Sequence, residues 1–465
     1  MTSPAIINRG SFRDPGSQVY EQGDRILRWV GRYAAGSYEQ VRDTGTLDRL
    51  IKKGFLVSAH ECTEALLPQN ADTAYVLEHK RIPFISYPYE WCFSLLKRAA
   101  LFHLDLHLQA MEEGFTLSDA TAYNVQFKGT QAIGIDHLSL KPYEDGEIWA
   151  GHRQFCMQFL NPLVLWSRKG IAPNSWFRGS LEGIAPEELA PLLSFKDKLN
   201  FVILSHIVAQ SRLQQRSIAN HLHVEPGKRP KLSRTGMIGM LEGLRSFIEN
   251  CQPPKKATVW GEYAQNTSYE SEERSAKGRT IAAMTSAIRP KMFFDLGCNS
   301  GEYSEIALTN GAQRAVGFDF DFSALEAAVD RADDRNLDFL PLWLDAANPS
   351  PSQGWAQAER AGLNERSNAD ALIALAFIHH IAIGKNVPMD MAVDWIISLA
   401  PCGIIEFPPK SDPMVQRLLG NRDDIFPNYT EDNFIAAVAK RAKILDRNTI
   451  SKSGRFLVTY DRSAP

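Results

Sequence analysis

The spacing of apolar positions changes along the chain, and the change divides it. Beyond Pro290, short apolar runs at 291–296, 315–318, 339–344, 371–377 and 403–407 have the length and composition of buried strands. Amphipathic stretches at 302–309, 323–332, 354–363 and 389–399 fall between them and predict helices. A helix over 431–441 and two strands, 443–450 and 455–460, complete the pattern, the strands close enough around Ser453-Gly454 to form a hairpin. Such alternation predicts an α/β fold: a doubly wound parallel sheet ending in an antiparallel hairpin.

The first half is patterned differently. Residues 11–30 predict two short strands, with Asp14-Pro15-Gly16 ahead of the first and Gly23-Asp24 between them. Alternating segments follow over 75–89. The stretch 89–114 becomes helical, with Leu95, Leu96, Ala99, Leu101, Leu104, Leu106, Leu108 and Met111 at near-helical spacing. Helical patterns dominate from Gln154 to about Cys251, and Gln252-Pro253-Pro254-Lys255-Lys256 has linker composition. A polar, helical lead-in over 260–288 carries Tyr263, Tyr269 and Lys277. The expected organisation is a small α+β lobe over 1–92, a mainly helical lobe over 93–251, a linker and lead-in over 252–290, and the α/β domain over 291–465.

Length and composition narrow the functional classes. A chain of 465 residues is too long for one ordinary core. With 44% hydrophobic and 23% charged residues and a formal net charge of -3, it has the balance of a globular protein and no basic field to attract nucleic acid or an anionic membrane. Cys62, Cys92, Cys156, Cys251, Cys298 and Cys402 form no C-x-x-C pair, and no histidine cluster stands at metal-ligand spacing, so no metal is expected and the thiols are expected to be free in a reducing cytoplasm. The first residues carry too short an apolar run for a signal peptide, and no uncharged stretch approaches the roughly 18 residues a membrane span needs.

Candidate chemistry lies at the carboxyl ends of the predicted strands, where open α/β sheets bind ligands. The first strand runs into Asp295-Leu296-Gly297-Cys298-Asn299-Ser300-Gly301, whose glycines let the backbone approach a ligand and open the next helix. The second ends in Asp319-Phe320-Asp321, and an acid there suits the two hydroxyls of a ribose as a double acceptor. From loop to acid the separation is 319 − 297 = 22 residues, close to the roughly 20 expected across one intervening helix. Asp345-Ala346 follows the third strand. Leu375-Ala376-Phe377-Ile378-His379-His380 closes the fourth, and Glu406-Phe407-Pro408-Pro409-Lys410 the fifth. A dinucleotide-binding fold is the alternative, but the spacing is not G-x-G-x-x-G and the hairpin argues against it.

Together these segments resemble the class I S-adenosylmethionine-dependent methyltransferases, over about 170 residues of Rossmann-like sheet. The resemblance implies S-adenosyl-L-methionine as cofactor, bound by Asp295, Gly297, Asn299, Gly301, Asp319, Phe320, Asp345, Ala346 and Ala376, with the third acid on the adenine amino group. Asn299 stands where family members often carry glycine, and asparagine tolerates the unusual backbone angles. The resemblance also implies an acceptor pocket beside Ala376, where His379 or His380 would take a proton from a hydroxyl or amine and Glu406 would sit on a loop above.

In the first half, Asp119 is followed by Asn124 and Asp136, with 124 − 119 = 5 and 136 − 124 = 12. This resembles the catalytic segment of aminoglycoside-phosphotransferase-type kinases, in which the first aspartate is the base and the asparagine and second aspartate hold Mg²⁺. Ser118 departs from the usual glycine, and no glycine-rich loop is followed by a clear strand lysine, Lys52 and Lys53 lying on a helical stretch. A kinase-like fold without phosphoryl transfer is the expectation, beside a chance D-x-x-x-x-N match. The whole chain resembles a bacterial two-part family that includes proteins called nodulation or host-specificity proteins, through 87–91, 119–127, 135–139 and 406–417. The expected function is methylation of an oxygen or nitrogen nucleophile on a small molecule or biosynthetic intermediate. The alternatives are a non-catalytic S-adenosylmethionine-binding regulator and a bifunctional methyltransferase with kinase activity.

Overall fold

The computed structural model describes residues 4–62, 72–220, 231–253, 271–420 and 423–463. Two compact units divide the chain: Met1–Phe127, Gln131–Lys255 and Ser352–Arg360 in the first, and Lys128–Thr130, Lys256–Pro351 and Ala361–Pro465 in the second.

The first unit opens with a five-stranded antiparallel sheet. Its strands are β1 (Ile6–Ile7), β2 (Ser17–Gln22), β3 (Arg25–Gly31), β4 (Ala59–Glu61) and β5 (Thr73–His79), in the order β1-β2-β3-β5-β4. Gly23, at φ +58°, makes the tight turn between β2 and β3. Helices Arg32–Asp43 and Thr46–Lys52 follow β3, and their Tyr38, Val41, Leu47 and Leu50 join Val30, Leu77 and Leu106 in one core. The long helix begins at Phe93 and runs to Glu112. Leu95, Leu96, Ala99, Leu104, Leu106 and Met111 are buried as the spacing predicts, while Leu101 and Leu108 are half-buried. Its inner face also carries two histidines: His107 meets Thr116 Oγ1 at 2.8 Å, and His103 packs among the rings of Trp149, Phe155 and Phe159. Short strands β6 (Phe115–Leu117), β7 (Val125–Lys128), β8 (Gln131–Gly134) and β9 (Leu140–Pro142) pair as β6-β9 and β7-β8 and frame residues 119–136. Short helices follow, with π-helical turns at Cys156–Leu160 and Leu204–Val208.

The second unit holds a seven-stranded sheet of β10 (Phe293–Leu296), β11 (Ala315–Asp319), β12 (Phe339–Trp343), β13 (Ala371–Ala374), β14 (Cys402–Phe407), β15 (Lys443–Thr449) and β16 (Phe456–Asp461). The order is β12-β11-β10-β13-β14-β16-β15. β10 to β14 are mutually parallel, and β16 lies antiparallel between β14 and β15. The order reverses at β10, which makes the crevice beside its carboxyl end the natural ligand site. The expected doubly wound sheet and closing hairpin are therefore both present.

Two local expectations need correction, and one helix is unexpected. No helix spans 354–363: Gly354, Ala356 and Gln357 all have positive φ, Trp355 is exposed, and only a 3₁₀ turn at Trp355–Gln357 and a short helix at Leu363–Arg366 form. Glycines at 354 and 362 bracket the segment, and it finds no core for an apolar face. β13 ends at Ala374 because Ala376 turns left-handed, at φ 48°. An unexpected helix, Pro413–Leu419, starts where Asp412 accepts from Met414 N at 2.9 Å and proline fills the first turn. The lead-in is helical over Ser271–Ile288, while Tyr263, Tyr269 and linker residues 254–256 lie outside the described residues. Among the described residues no helix is long and apolar enough to cross a membrane.

Buried histidines give this fold a pH dependence. Burial lowers His79 to about 2, His103 to about 3, and His137 and His380 to about 4. In the unfolded chain each titrates near about 6.5. Between those values the unfolded state binds more protons than the folded one, so stability falls as pH drops. Asp295, raised to about 7 by burial, opposes this together with Asp119, Asp319 and Glu273, which burial also raises, but the buried histidines, His107 and His379 among them, are more numerous. Calorimetric melting should therefore occur at a lower temperature at pH 5 than at pH 7, and an equal or higher value at pH 5 would contradict the burial of these rings.

Candidate functional site

The loop after β10 is shaped by three left-handed residues: Gly297 (φ +81°), Asn299 (φ 49°) and Gly301 (φ +78°). A Cβ on Gly301 would overlap the Phe339 ring, and one on Gly297 would stand 3.2 Å from Phe377 Cδ2. Asn299 takes its angle with local help, its Oδ1 accepting from Ser300 N at 2.8 Å. Cys298 N and Gly297 N both donate to Phe318 O, which holds the loop against the end of β11.

Asp319 ends β11 and joins the two loops. Its Oδ2 accepts from Asn299 N and its Oδ1 from Asp321 N, each at 2.8 Å. Burial pushes this carboxyl upward while the backbone donors pull it down. Asp295 is more deeply placed, 2% exposed, and accepts from Ser304 Oγ at 2.7 Å. It pins the first turn of helix Glu302–Thr309 beneath the glycine loop and does not line its mouth.

Beyond Asp319, the Phe320 ring is 56% exposed, 6.1 Å from the Trp343 ring, with Lys385 Nζ 5.5 Å above it. Asp345, half-buried after β12, accepts from Ala347 N at 3.1 Å and lies 3.9 Å from Lys385 Nζ. Ala346 beside it is also half-buried.

At the end of β13, Ala376 N donates to Glu406 Oε2 at 2.8 Å, and the helix Ile378–Ala382 starts two residues on. His379 is 1% exposed and its Nδ1 has no hydrogen-bond partner. The His380 ring lies 4.1 Å away. Burial lowers both imidazoles, His380 to about 4, so both are neutral at pH 7.

Glu406 is not on a loop above this pocket. It lies within β14, fully buried, with Lys277 Nζ 2.9 Å from Oε2 and Arg455 Nη1 2.9 Å from Oε1. Asp412 completes the network by accepting from Arg455 Nε at 2.6 Å and Nη2 at 2.7 Å, and Glu273 lies 3.2 Å from Lys277 Nζ. The two cations hold the Glu406 carboxyl below its usual range against the burial that opposes them. With both oxygens engaged, Glu406 is a positioning residue. Lys277 and Arg455 were not legible as its partners, because no spacing links positions 277, 406 and 455. Lys410 pairs with Asp424 at the surface.

In the first unit Asp119, Asn124 and Asp136 do come together. Asn124 Nδ2 donates to Asp119 Oδ2 at 3.0 Å and to Asp136 Oδ2 at 3.2 Å. Arg28, on β3, donates through Nη1 to Asp136 Oδ1 at 2.6 Å and through Nε to Ser17 Oγ at 3.0 Å. Sequence reading missed Arg28, which sits in an ordinary strand pattern.

Nodulation protein NoeA of Rhizobium meliloti (strain 1021) is 44% identical over 457 residues, spanning 98% of this chain and 96% of that protein. The chain belongs to the NoeA family. No family model matches it. Among solved structures, N-methyltransferase NodS from Bradyrhizobium japonicum WM9 in complex with S-adenosyl-L-homocysteine is 12% identical, covering 42% of this NoeA-family chain and 90% of that one at a TM-score of 0.32. The PH0226 protein from Pyrococcus horikoshii OT3 is 15% identical, covering 44% and 96% at a TM-score of 0.32.

The buried network makes a direct prediction. Replacing Glu406 by glutamine leaves Lys277 and Arg455 buried with one carboxylate fewer, and removing one partner of a buried ion pair typically costs about 3–5 kcal/mol. Urea unfolding of Glu406→Gln should show a loss of that size in the transition of this unit. A loss below about 1 kcal/mol, the scale of an exposed pair, would show that the network is solvated.

Proposed function

We propose that the second unit is an S-adenosylmethionine-dependent methyltransferase acting on an oxygen or nitrogen nucleophile of a small molecule or biosynthetic intermediate. The observation that carries this reading is Asp319, a carboxylate at the end of β11 tied by one backbone N–H to the glycine loop of β10. Its oxygens accept from Asn299 N and Asp321 N, with the Phe320 backbone also contributing, and a carboxylate's four lone-pair sites leave acceptor capacity for a ribose diol. The rest of the donor set fits the same nucleoside. Gly297 and Gly301 shape the loop, the Phe377 and Phe339 rings taking the places where their side chains would stand, the exposed Phe320 ring offers a face for a purine, and Asp345 offers an acceptor to an exocyclic amine.

S-adenosylmethionine would supply a methyl group on a cationic sulfur that leaves readily. The chain's own contribution is positioning. Ala376, locked by Glu406, sets the start of the helix that carries His379 and His380. Burial keeps both imidazoles neutral and lowers their basicity, so they suit orienting a hydroxyl or amine by hydrogen bonding, and the unpartnered His379 Nδ1 is a buried polar atom suited to an acceptor group. Calorimetry with S-adenosylmethionine tests the reading. Asp319→Ala should weaken binding about ten- to a hundredfold, because charge-assisted hydrogen bonds are worth roughly 1.5–3 kcal/mol. An unchanged dissociation constant in a folded variant would remove Asp319 from the site.

A specific observation also favours reading the first unit as a kinase-like fold without phosphoryl transfer. Kinases hold Mg²⁺ with an asparagine and an aspartate, and the spacing of Asn124 and Asp136 resembles theirs. Here the Arg28 guanidinium takes one Asp136 oxygen, and Asn124 spends its amide donors on both carboxylates. ATP with Mg²⁺ should therefore leave the melting temperature unchanged. A rise abolished by Asp136→Asn would overturn this, since a ligand that binds only the folded state stabilises it.

A further inference from the structure

A cluster that neither reading uses lies among the short helices of the first unit. Helix His152–Phe155 passes into the π-helical turn Cys156–Leu160, so His152 and Cys156 are one turn apart, i and i+4, on a continuous helical stretch. His206 comes from the second π-helical turn, Leu204–Val208. Turns of this kind recur at functional sites, where the extra residue re-aims a side chain.

We propose that His152, Cys156 and His206 bind a zinc ion. One ligand atom from each residue lies within 4.8 Å of the other two. They converge on His152 Nε2, which is 2.8 Å from His206 Nδ1 and 3.7 Å from Cys156 Sγ. Tetrahedral zinc, with Zn–N near 2.05 Å and Zn–S near 2.3 Å, needs N···N of about 3.3 Å and N···S of about 3.5 Å. The Cys156–His152 pair is already within a few tenths of an ångström of that value, the two imidazoles need to part by about half an ångström, and Cys156 Sγ and His206, within 4.8 Å of each other, would close to the same range.

The surroundings supply what a ligating histidine requires. The other ring nitrogen of His152, Nδ1, stands 2.8 Å from the Gln210 side-chain amide. A metal-bound imidazole characteristically donates this second N–H to an oxygen, which fixes its tautomer. Gln210 Oε1 is buried with no other partner, and the two ends of an amide are interchangeable in shape, so turning it over places that oxygen on Nδ1–H. Nε2 then faces Cys156 and His206 with its lone pair free. Two imidazoles and a thiolate are the donor set of zinc, and magnesium and calcium prefer oxygen. On binding, the Cys156 S–H bond breaks, an S–Zn bond forms and the proton leaves to solvent, with no change of oxidation state. Three protein ligands leave a fourth position for water. The ion would clamp the 152–160 helix to the 204–208 turn.

The test uses the full-length protein, freed of metal and reloaded with zinc or cobalt(II). The proposal expects one tightly bound zinc per chain, a zinc-dependent rise in melting temperature, and a sulfur-to-cobalt charge-transfer band with the intense visible bands of four-coordinate cobalt. Cys156→Ser should abolish the charge-transfer band, and Cys62→Ser should leave it. Gln210→Leu, which leaves all three ligands in place, should lower zinc affinity about 10- to 100-fold, the scale set by outer-shell partners. Absence of both the cobalt–thiolate band and the zinc-dependent melting shift in the folded wild type would overturn the proposal, whatever the variants do. A band that persists in Cys156→Ser would overturn it equally, because the metal would then sit on another thiol.

Discussion

A carboxylate without any exposure sets the geometry of the second unit. Glu406 receives Lys277 from the helix Ser271–Ile288, Arg455 from the turn before β16, and the backbone N–H of Ala376 from the end of β13. Asp412, the cap of helix Pro413–Leu419, takes the remaining face of Arg455. Burying such charges is costly unless each is paired and hydrogen-bonded, so the network persists only in one arrangement. That arrangement ties the lead-in helix, the closing hairpin and the turn that bears His379 and His380 to a single strand residue.

The candidate ligand-binding edge follows from backbone conformation. Gly297, Asn299, Gly301 and Ala376 all turn left-handed at the carboxyl ends of the two central strands, β10 and β13. Left-handed angles cost little for glycine and asparagine and more for alanine, and Ala376 is the one held by a bond to a buried charge. Asp319 then bridges the glycine loop and the next helix entrance, so one carboxylate sits where both loops open.

Much of this was legible in the residues. Five parallel strands, the reversed hairpin and the glycine loop follow from apolar period, turn residues and one 22-residue separation, all of them local signals. What was hidden was long-range. The Lys277–Glu406–Arg455 and Arg28–Asp136 pairs, like the His152–Cys156–His206 cluster, join residues that only tertiary packing brings together. His103 and His107 broke the polar-outside rule because aromatic rings and Thr116 receive them inside. The helix expected over 354–363 failed for the opposite reason, an apolar period with left-handed residues inside it and no core beneath it. Among the candidate site residues, Asp319, Gly297 and Gly301 were readable as types at a spacing. The deep placement of Asp295 and the engagement of Glu406 were not, because both depend on which neighbour reaches them first.

The central claim, that the second unit transfers a methyl group, is tested most directly by turnover. The full-length protein is incubated with methyl-labelled S-adenosylmethionine and a metabolite extract, and S-adenosylhomocysteine release and labelled products are followed by mass spectrometry. The account predicts S-adenosylhomocysteine in step with label on a small molecule that carries an oxygen or nitrogen nucleophile. Tight binding of S-adenosylmethionine with no S-adenosylhomocysteine above the protein-free control would contradict it and make the site a regulatory one.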